Sequence, residues 1–137
     1  MQRLVRNFGL LSASETPCGQ QLPVSEAHAL MVLLERAEVP PTLSELCEEL
    51  GLDKSNVTRL AQRLERAGLI GTRPCPDDGR AKRVELTRLG KRRAQAVSAS
   101  SRAEFAAVLR QLPSGSQADV LASLWLLADA MKKRAAQ

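Results

Sequence analysis

Apolar positions along this 137-residue chain recur in short helical blocks, each closed by proline, glycine or a capping residue. Residues 2–13 place Leu4, Val5, Phe8 and Leu11 at helical spacing, with Arg3, Arg6 and Asn7 around the rest of the wheel. So short a helix has to pack on a neighbour to persist. The Pro- and Gly-containing stretch 15–23 reads as a loop. Ser25 is then placed to cap a helix from Glu26 to about Glu38 that buries Leu30, Leu33 and Leu34. Val39-Pro40-Pro41 ends it, because proline disfavours helix at its own position and at the one before.

Thr42 and Glu45 form a T-x-x-E capping box ahead of an apolar stripe of Leu43, Leu46, Cys47 and Leu50, and Gly51 is a natural stop. Asp53 caps the next helix, Lys54 to about Ala67, whose inner face is Val57, Leu60, Ala61 and Leu64. A hairpin follows: out along Leu69–Arg73, around Pro76-Asp77-Asp78-Gly79-Arg80, and back along Lys82–Thr87 with Val84 and Leu86 inward and Arg83 and Glu85 outward. Thr87 can cap a long helix from Arg88 to Leu112, with Val97, Phe105, Val108, Leu109 and Leu112 as its later apolar positions. Pro113 breaks it, and Ser114 with Gln117 offers a further capping box for a final helix through Ala135.

That last helix is apolar around much of its circumference, through Val120, Leu121, Leu124, Trp125, Leu127, Ala128 and Met131. On a monomer such a surface is a liability. Two short helices, a glycine-bearing turn and a hairpin between such helices predict a mainly α fold with a small β-hairpin wing. This is a winged helix-turn-helix whose terminal helices form a dimerisation bundle. One domain spans 1–137, with the DNA-binding part at about 25–90 and dimerisation helices at about 1–14 and 95–135.

Charge sharpens this picture. The chain has 20 Lys and Arg against 15 Asp and Glu, a net +5. Twelve of those bases but only four of the acids fall between Lys54 and Arg93, so this window carries +8 and the remainder −3. Cations concentrated on a candidate DNA reader displace counterions from phosphate. At about 100° per residue, Ser55, Arg59, Gln62 and Arg66 point away from the buried stripe of helix 54–67, flanked by Asn56, Thr58 and Arg63. Arginine pairs with guanine and Asn or Gln with adenine, while Ser and Thr serve base or phosphate. An ordinary solvated helix face is the competing reading. Arg80 at the hairpin tip can enter a minor groove, braced by Asp78. Lys54, Arg73 and Lys82 complete the candidate DNA-binding set. The basic opening of the long helix (Arg88, Lys91, Arg92, Arg93) is poorly placed for its dipole and better suited to phosphate.

With these residues in view, the chain resembles the MarR family of bacterial transcription regulators. The likeness is strongest over 42–90: SELCEELGLDKSNVTRLAQRLERAGLI, the wing PDDGRAKRVELT and the following TRLG. The resemblance implies a homodimer on a pseudo-palindromic operator, usually a repressor released by a small ligand, an oxidant or a metal. By position, Ser55, Asn56, Thr58, Arg59 and Arg63 match the family's recognition helix, and Asp78 and Arg80 its D-x-R wing. Gly79 replaces the basic residue common between those two, and the first helix is shorter than usual. A dimer would set two readers about 34–36 Å apart.

Three cysteines and one histidine are available for sensing. Cys47 reads as a small core residue, and Cys75 beside the wing as an exposed thiol. Cys18, Glu26 and His28 fall where the resemblance puts the dimer interface and effector pocket, and Glu104 is the nearest substitute for the long-helix histidines of zinc-sensing members. Thiolate, imidazole and carboxylate suit zinc or another thiophilic metal. Thiol oxidation at Cys18 and a small organic effector are the other readings. No cofactor is otherwise indicated.

Aromatics are 2% of the chain, so base stacking on single strands is poorly provided for. GxGxxG, GxxxxGK and CxxC are absent, and an enzyme is not expected. No apolar run approaches the ~20 residues of a membrane span. The opening residues show no signal-peptide pattern, so a cytoplasmic location is expected. A winged helix serving only as a protein-interaction module is the alternative function.

Overall fold

The computed structural model describes residues 16–75 and 81–135. The helix expected at 2–13 and the wing tip with Asp78 and Arg80 lie outside these residues. The described elements are α1 (Val24–Glu35), α2 (Leu43–Leu50), α3 (Lys54–Arg66), β1 (Ile70–Pro74), β2 (Lys82–Leu86), α4 (Arg88–Arg110) and α5 (Gln117–Ala135). Two compact units are distinguished, Met1–Ser101 and Arg102–Gln137.

Ser25 does not cap α1. Pro23 occupies the N-cap position, and no side chain bonds to the exposed amides there. The fixed φ of proline already suits helix entry, so the helix begins before the serine. It also ends earlier than Glu38, at Glu35. Arg36 turns away to pair with Glu45 at 3.8 Å and with Glu49, and its Nε donates to the Val39 carbonyl at 3.2 Å.

The capping box of α2 is complete. The Glu45 amide donates to Thr42 Oγ1 at 3.2 Å and the Thr42 amide to Glu45 Oε2 at 2.7 Å, while Gly51 closes the helix at φ 63°. The Thr42 amide, then its hydroxyl, holds the Glu45 carboxyl below its ordinary pKa, helped by the charges of Arg36 and Arg83. Removing the hydroxyl in Thr42→Ala is expected to cost about 1 kcal/mol, read as a lowered denaturation midpoint. A lowered carboxylate stabilises the fold above its unfolded pKa and ceases to do so as pH falls through the folded value. The wild-type advantage over Thr42→Ala should therefore shrink in acid; a gap that widens there would contradict the box.

Antiparallel pairing runs from Ile70↔Leu86 through Thr72↔Val84 to Pro74↔Lys82. A short strip extends this sheet beyond β2. Thr42 bridges Arg83, the Val84 amide donates to the Pro41 carbonyl at 2.8 Å, and Arg83 Nη1 donates to the Pro40 carbonyl at 2.7 Å. Arg83 is thus half-buried and engaged, not outward as its alternation predicts. Glu85 does face an exposed partner, Arg73, at 3.1 Å.

The core of the first unit collects Leu30 and Leu33 from α1, Leu46 from α2, and Val57, Leu60 and Leu64 from α3. Ile70 and Val84 from the hairpin and Ala94 and Val97 from α4 complete it. Leu34, Leu43, Cys47, Leu50 and Ala61 pack half-buried around it. Thr87 caps α4, accepting the Gly90 amide on Oγ1 at 3.0 Å.

In the second unit the expected Ser114–Gln117 box does not form. Gly115 turns the chain at φ 85°, the Ser116 carbonyl receives the Val120 amide, and Gln117 Nε2 donates to the Leu109 carbonyl at 3.0 Å. The left-handed glycine shifts the helix start to Gln117. Trp125, Leu126 and Met131 stand 71%, 72% and 63% exposed. Among the described residues no helix is long and apolar enough to cross a membrane.

Candidate nucleic-acid interface

α3 is built to hold one face inside and another in water. Val57, Leu60 and Leu64 are at most 2% exposed, whereas Lys54, Ser55, Asn56, Arg59, Gln62, Arg63 and Arg66 are all exposed. Asp53 starts the helix by accepting the Asn56 amide on Oδ1 at 2.9 Å. The same carboxylate accepts Ser55 Oγ at 2.7 Å and Asn56 Nδ2 at 2.5 Å. These donors, Ser55's hydroxyl foremost, hold the Asp53 carboxyl below its ordinary pKa.

The candidate residues separate by what they already touch. Thr58 is half-buried and gives its hydroxyl to the Lys54 carbonyl at 2.7 Å. Arg59 rests on Ser55, with Nε 3.3 Å from the Ser55 carbonyl and Nη2 3.3 Å from its Oγ. Arg66 Nε bonds only the Gln62 carbonyl, at 3.2 Å. Arg63 leaves the helix face to pair with Glu26 of α1 at 2.8 Å. Arg73 is paired with Glu85 across the hairpin. Among the described residues, the side chains of Lys54, Gln62 and Lys82 have no hydrogen-bond or ion-pair partner. Exposed cations without a carboxylate beside them gain most from phosphate.

The candidate sensing residues have separate commitments. Cys18 is half-buried, its Sγ 3.0 Å from Thr16 Oγ1. Glu26 is engaged by Arg63, His28 is exposed, and Glu104 is exposed in the second unit. Among the described residues no group of three or more His, Cys, Asp and Glu could hold a metal ion. The loop carrying Cys18 is pinned to α4, where Gln20 Nε2 donates to Ser100 Oγ at 2.9 Å. Cys75 is buried, 8% exposed, not the surface thiol its place beside the wing suggests. Its amide bonds the Ala81 carbonyl at 2.9 Å, which carries the hairpin pairing one step past β1 and turns the side chain in.

Three contributions escape a reading of the sequence: the Glu26–Arg63 pair, the Arg83–Pro40 bond and the packing of Gly90. The first two leave no local signal, since their partners are far apart in the chain. Gly90 does leave one, a glycine in the first turn of a long helix.

Residues 20–81 match the MarR family. Over 69 residues the chain is 32% identical to the HTH-type transcriptional repressor IacR of Pseudomonas putida, a match covering 50% of this chain and only 40% of that protein. A probable transcriptional regulator from Pseudomonas aeruginosa is 26% identical, with 92% of this chain and 91% of that one superposed at a TM-score of 0.74. The MepR–DNA complex of S. aureus shares the fold at 21% identity, with 80% of each chain covered and a TM-score of 0.70. The capped helix pair, the hairpin on the shared core and the match over residues 20–81 agree: residues 20–81 form a segment that matches the MarR family, within a chain that shares its fold with solved regulators.

Proposed function

We propose that this chain is a transcriptional regulator that binds double-stranded operator DNA as a homodimer and represses by occupying it. The observation that carries this reading is the outer face of α3, where Lys54, Arg59 and Arg66 lie exposed with no carboxylate partner among the described residues. A helix that served only to bind another protein would present a neutral or apolar face there. The relationship to a repressor and the fold shared with a DNA-bound regulator support the same reading. Pairing of two copies is supported by the second unit, whose Trp125, Leu126 and Met131 side chains await a cover.

We place the input to this regulator at residues 16–28, for which a small organic effector, a thiophilic metal or oxidation of Cys18 are the candidate signals. This segment runs directly into α1, whose Glu26 grips Arg63 of α3, so a disturbance there has a short route to the reading helix.

Selection of bound fragments from a random duplex library tests the function. The expected product is a pseudo-palindrome with half-sites one helical turn apart, bound by two protomers. Binding that depends on salt alone and enriches no sequence would overturn the regulator reading.

A further inference from the structure

At the start of α3 the cap Asp53 is joined through Ser55 to Arg59 in a three-residue relay. Asp53 Oδ1 accepts the Ser55 hydroxyl at 2.7 Å, and Ser55 Oγ in turn lies 3.3 Å from Arg59 Nη2. A hydroxyl has one hydrogen. Because that hydrogen is committed to the carboxylate, Ser55 meets Arg59 with lone pairs only, and the guanidinium is held by an acceptor. We propose that Asp53 is a specificity-determining positioning residue: through Ser55 it aims Arg59 at a guanine edge, beyond its role as helix cap. The inference rests on the DNA-binding reading given above.

The electrostatics make a purely structural role for the carboxylate incomplete. Serine and asparagine cap helices about as well as aspartate, without a negative charge. An anion at the N-cap of a reading helix gains from the helix dipole but is repelled by phosphate, and a bond that a single-acceptor cap does not supply adds to its side of that balance. The second carboxylate oxygen, with two donors gathered on the first, supplies it. Asp53 Oδ2 takes Asn56 Nδ2 at 2.5 Å, so one anion fixes both side chains that flank the Arg59 approach. An ionised carboxylate donates nothing, which also settles that the amide nitrogen of Asn56 faces Asp53 and its Oδ1 faces away.

The two oxygens allow the relay to be separated from the cap. In Asp53→Ser the short hydroxyl keeps the Asn56 amide but leaves Ser55 without an acceptor. In Asp53→Asn the amide oxygen retains both the cap and the Ser55 bond, and only the Asn56 side chain loses its partner. In Ser55→Ala the cap is untouched and Arg59 loses its hydroxyl contact, keeping only the Ser55 carbonyl.

The test is library selection of bound duplexes with wild type and these variants, alongside thermal denaturation of each. Wild type should prefer guanine at one position of each half-site by on the order of tenfold, a preference that Arg59→Ala abolishes. Asp53→Ser and Ser55→Ala should reduce that preference to about twofold with no more than a small drop in denaturation temperature, while Asp53→Asn, which keeps the Ser55 bond but not the Asn56 side-chain bond, should give an intermediate preference. Wild-type base preference in both Asp53→Ser and Ser55→Ala would overturn the relay. So would an equal loss at every base position, which is what a merely weakened helix produces. Should wild type enrich no sequence at all, the regulator reading itself falls. An enriched operator that is indifferent to Asp53 and Ser55 removes only the relay.

Discussion

A single methyl group at position 90 is expected to unfold the first unit at denaturant concentrations the wild type withstands. Gly90 lies in the first turn of α4, flat against Leu69 in the turn between α3 and β1. A Cβ built there would sit 1.7 Å from the Leu69 carbonyl oxygen and 2.7 Å from its carbon. The obstacle is backbone, so no rotamer change relieves it. Leu69 has little room to move, since its amide donates to the Leu64 carbonyl at 2.9 Å and its own carbonyl receives the Thr87 amide at 3.0 Å. Shifting Leu69 would pull on the last turn of α3 and on the cap of α4 together. Overpacking of this severity costs on the order of 3 kcal/mol or more, a large part of the ~5–15 kcal/mol that holds a domain together. Gly90→Ala should lower the denaturation midpoint accordingly. Gly71→Ala is the control, because nothing lies within 4 Å of a Cβ at that strand position. Equal midpoints for Gly90→Ala and wild type would show that α4 and Leu69 do not pack this closely.

The second large effect is on DNA. Replacing Lys54, Arg59 and Arg66 together with alanine should weaken operator binding by at least about a hundredfold near physiological salt. The salt dependence should flatten by up to about 0.9 in log–log slope for each phosphate contact removed. All three side chains are exposed, so the fold should survive, and denaturation should confirm it. Arg63→Ala should cost less than any of these, because in the free protein that guanidinium is held by Glu26. Affinity and slope unchanged in the triple variant would move the DNA-binding surface off α3. A single-variant loss greatest at Arg63 would instead mean that DNA draws it away from α1.

What could be read from the sequence follows the range of the interactions. The Thr42–Glu45 box, the Gly51 stop and the Asp53 and Thr87 caps all join residues three or four apart, and all four form. Helical periodicity likewise picks out Leu30, Leu33, Leu46, Val57, Leu60 and Leu64 as the core. Where several local candidates competed, the pattern was ambiguous. Pro23 entered α1 ahead of Ser25, and Gly115 displaced the start of α5 from Ser114. Contacts across long stretches of chain were out of reach. Arg83 reads as a solvent-facing strand residue until the Pro40 carbonyl, 43 positions earlier, is placed beside it. Arg63 reads as a free DNA contact until Glu26, 37 positions earlier, is seen to hold it. Of the site, the exposed cations of α3 were legible because burial of Val57, Leu60 and Leu64 fixes which way the opposite face looks. Their hydrogen-bond commitments were not.

The strip at Pro40–Thr42 also bears on how this protein behaves when crowded. A hairpin left with an open edge is a template on which another chain can add a strand. Here the outer side of β2 is already taken, with the Val84 amide on the Pro41 carbonyl. The strip that takes it begins with two prolines, which have no amide hydrogen to offer an incoming strand. β1 ends on Pro74, which is equally unable to donate. Pro40, Pro41 and Pro74 therefore remove donors from both borders of the described hairpin, which makes it a poorer template for an added strand.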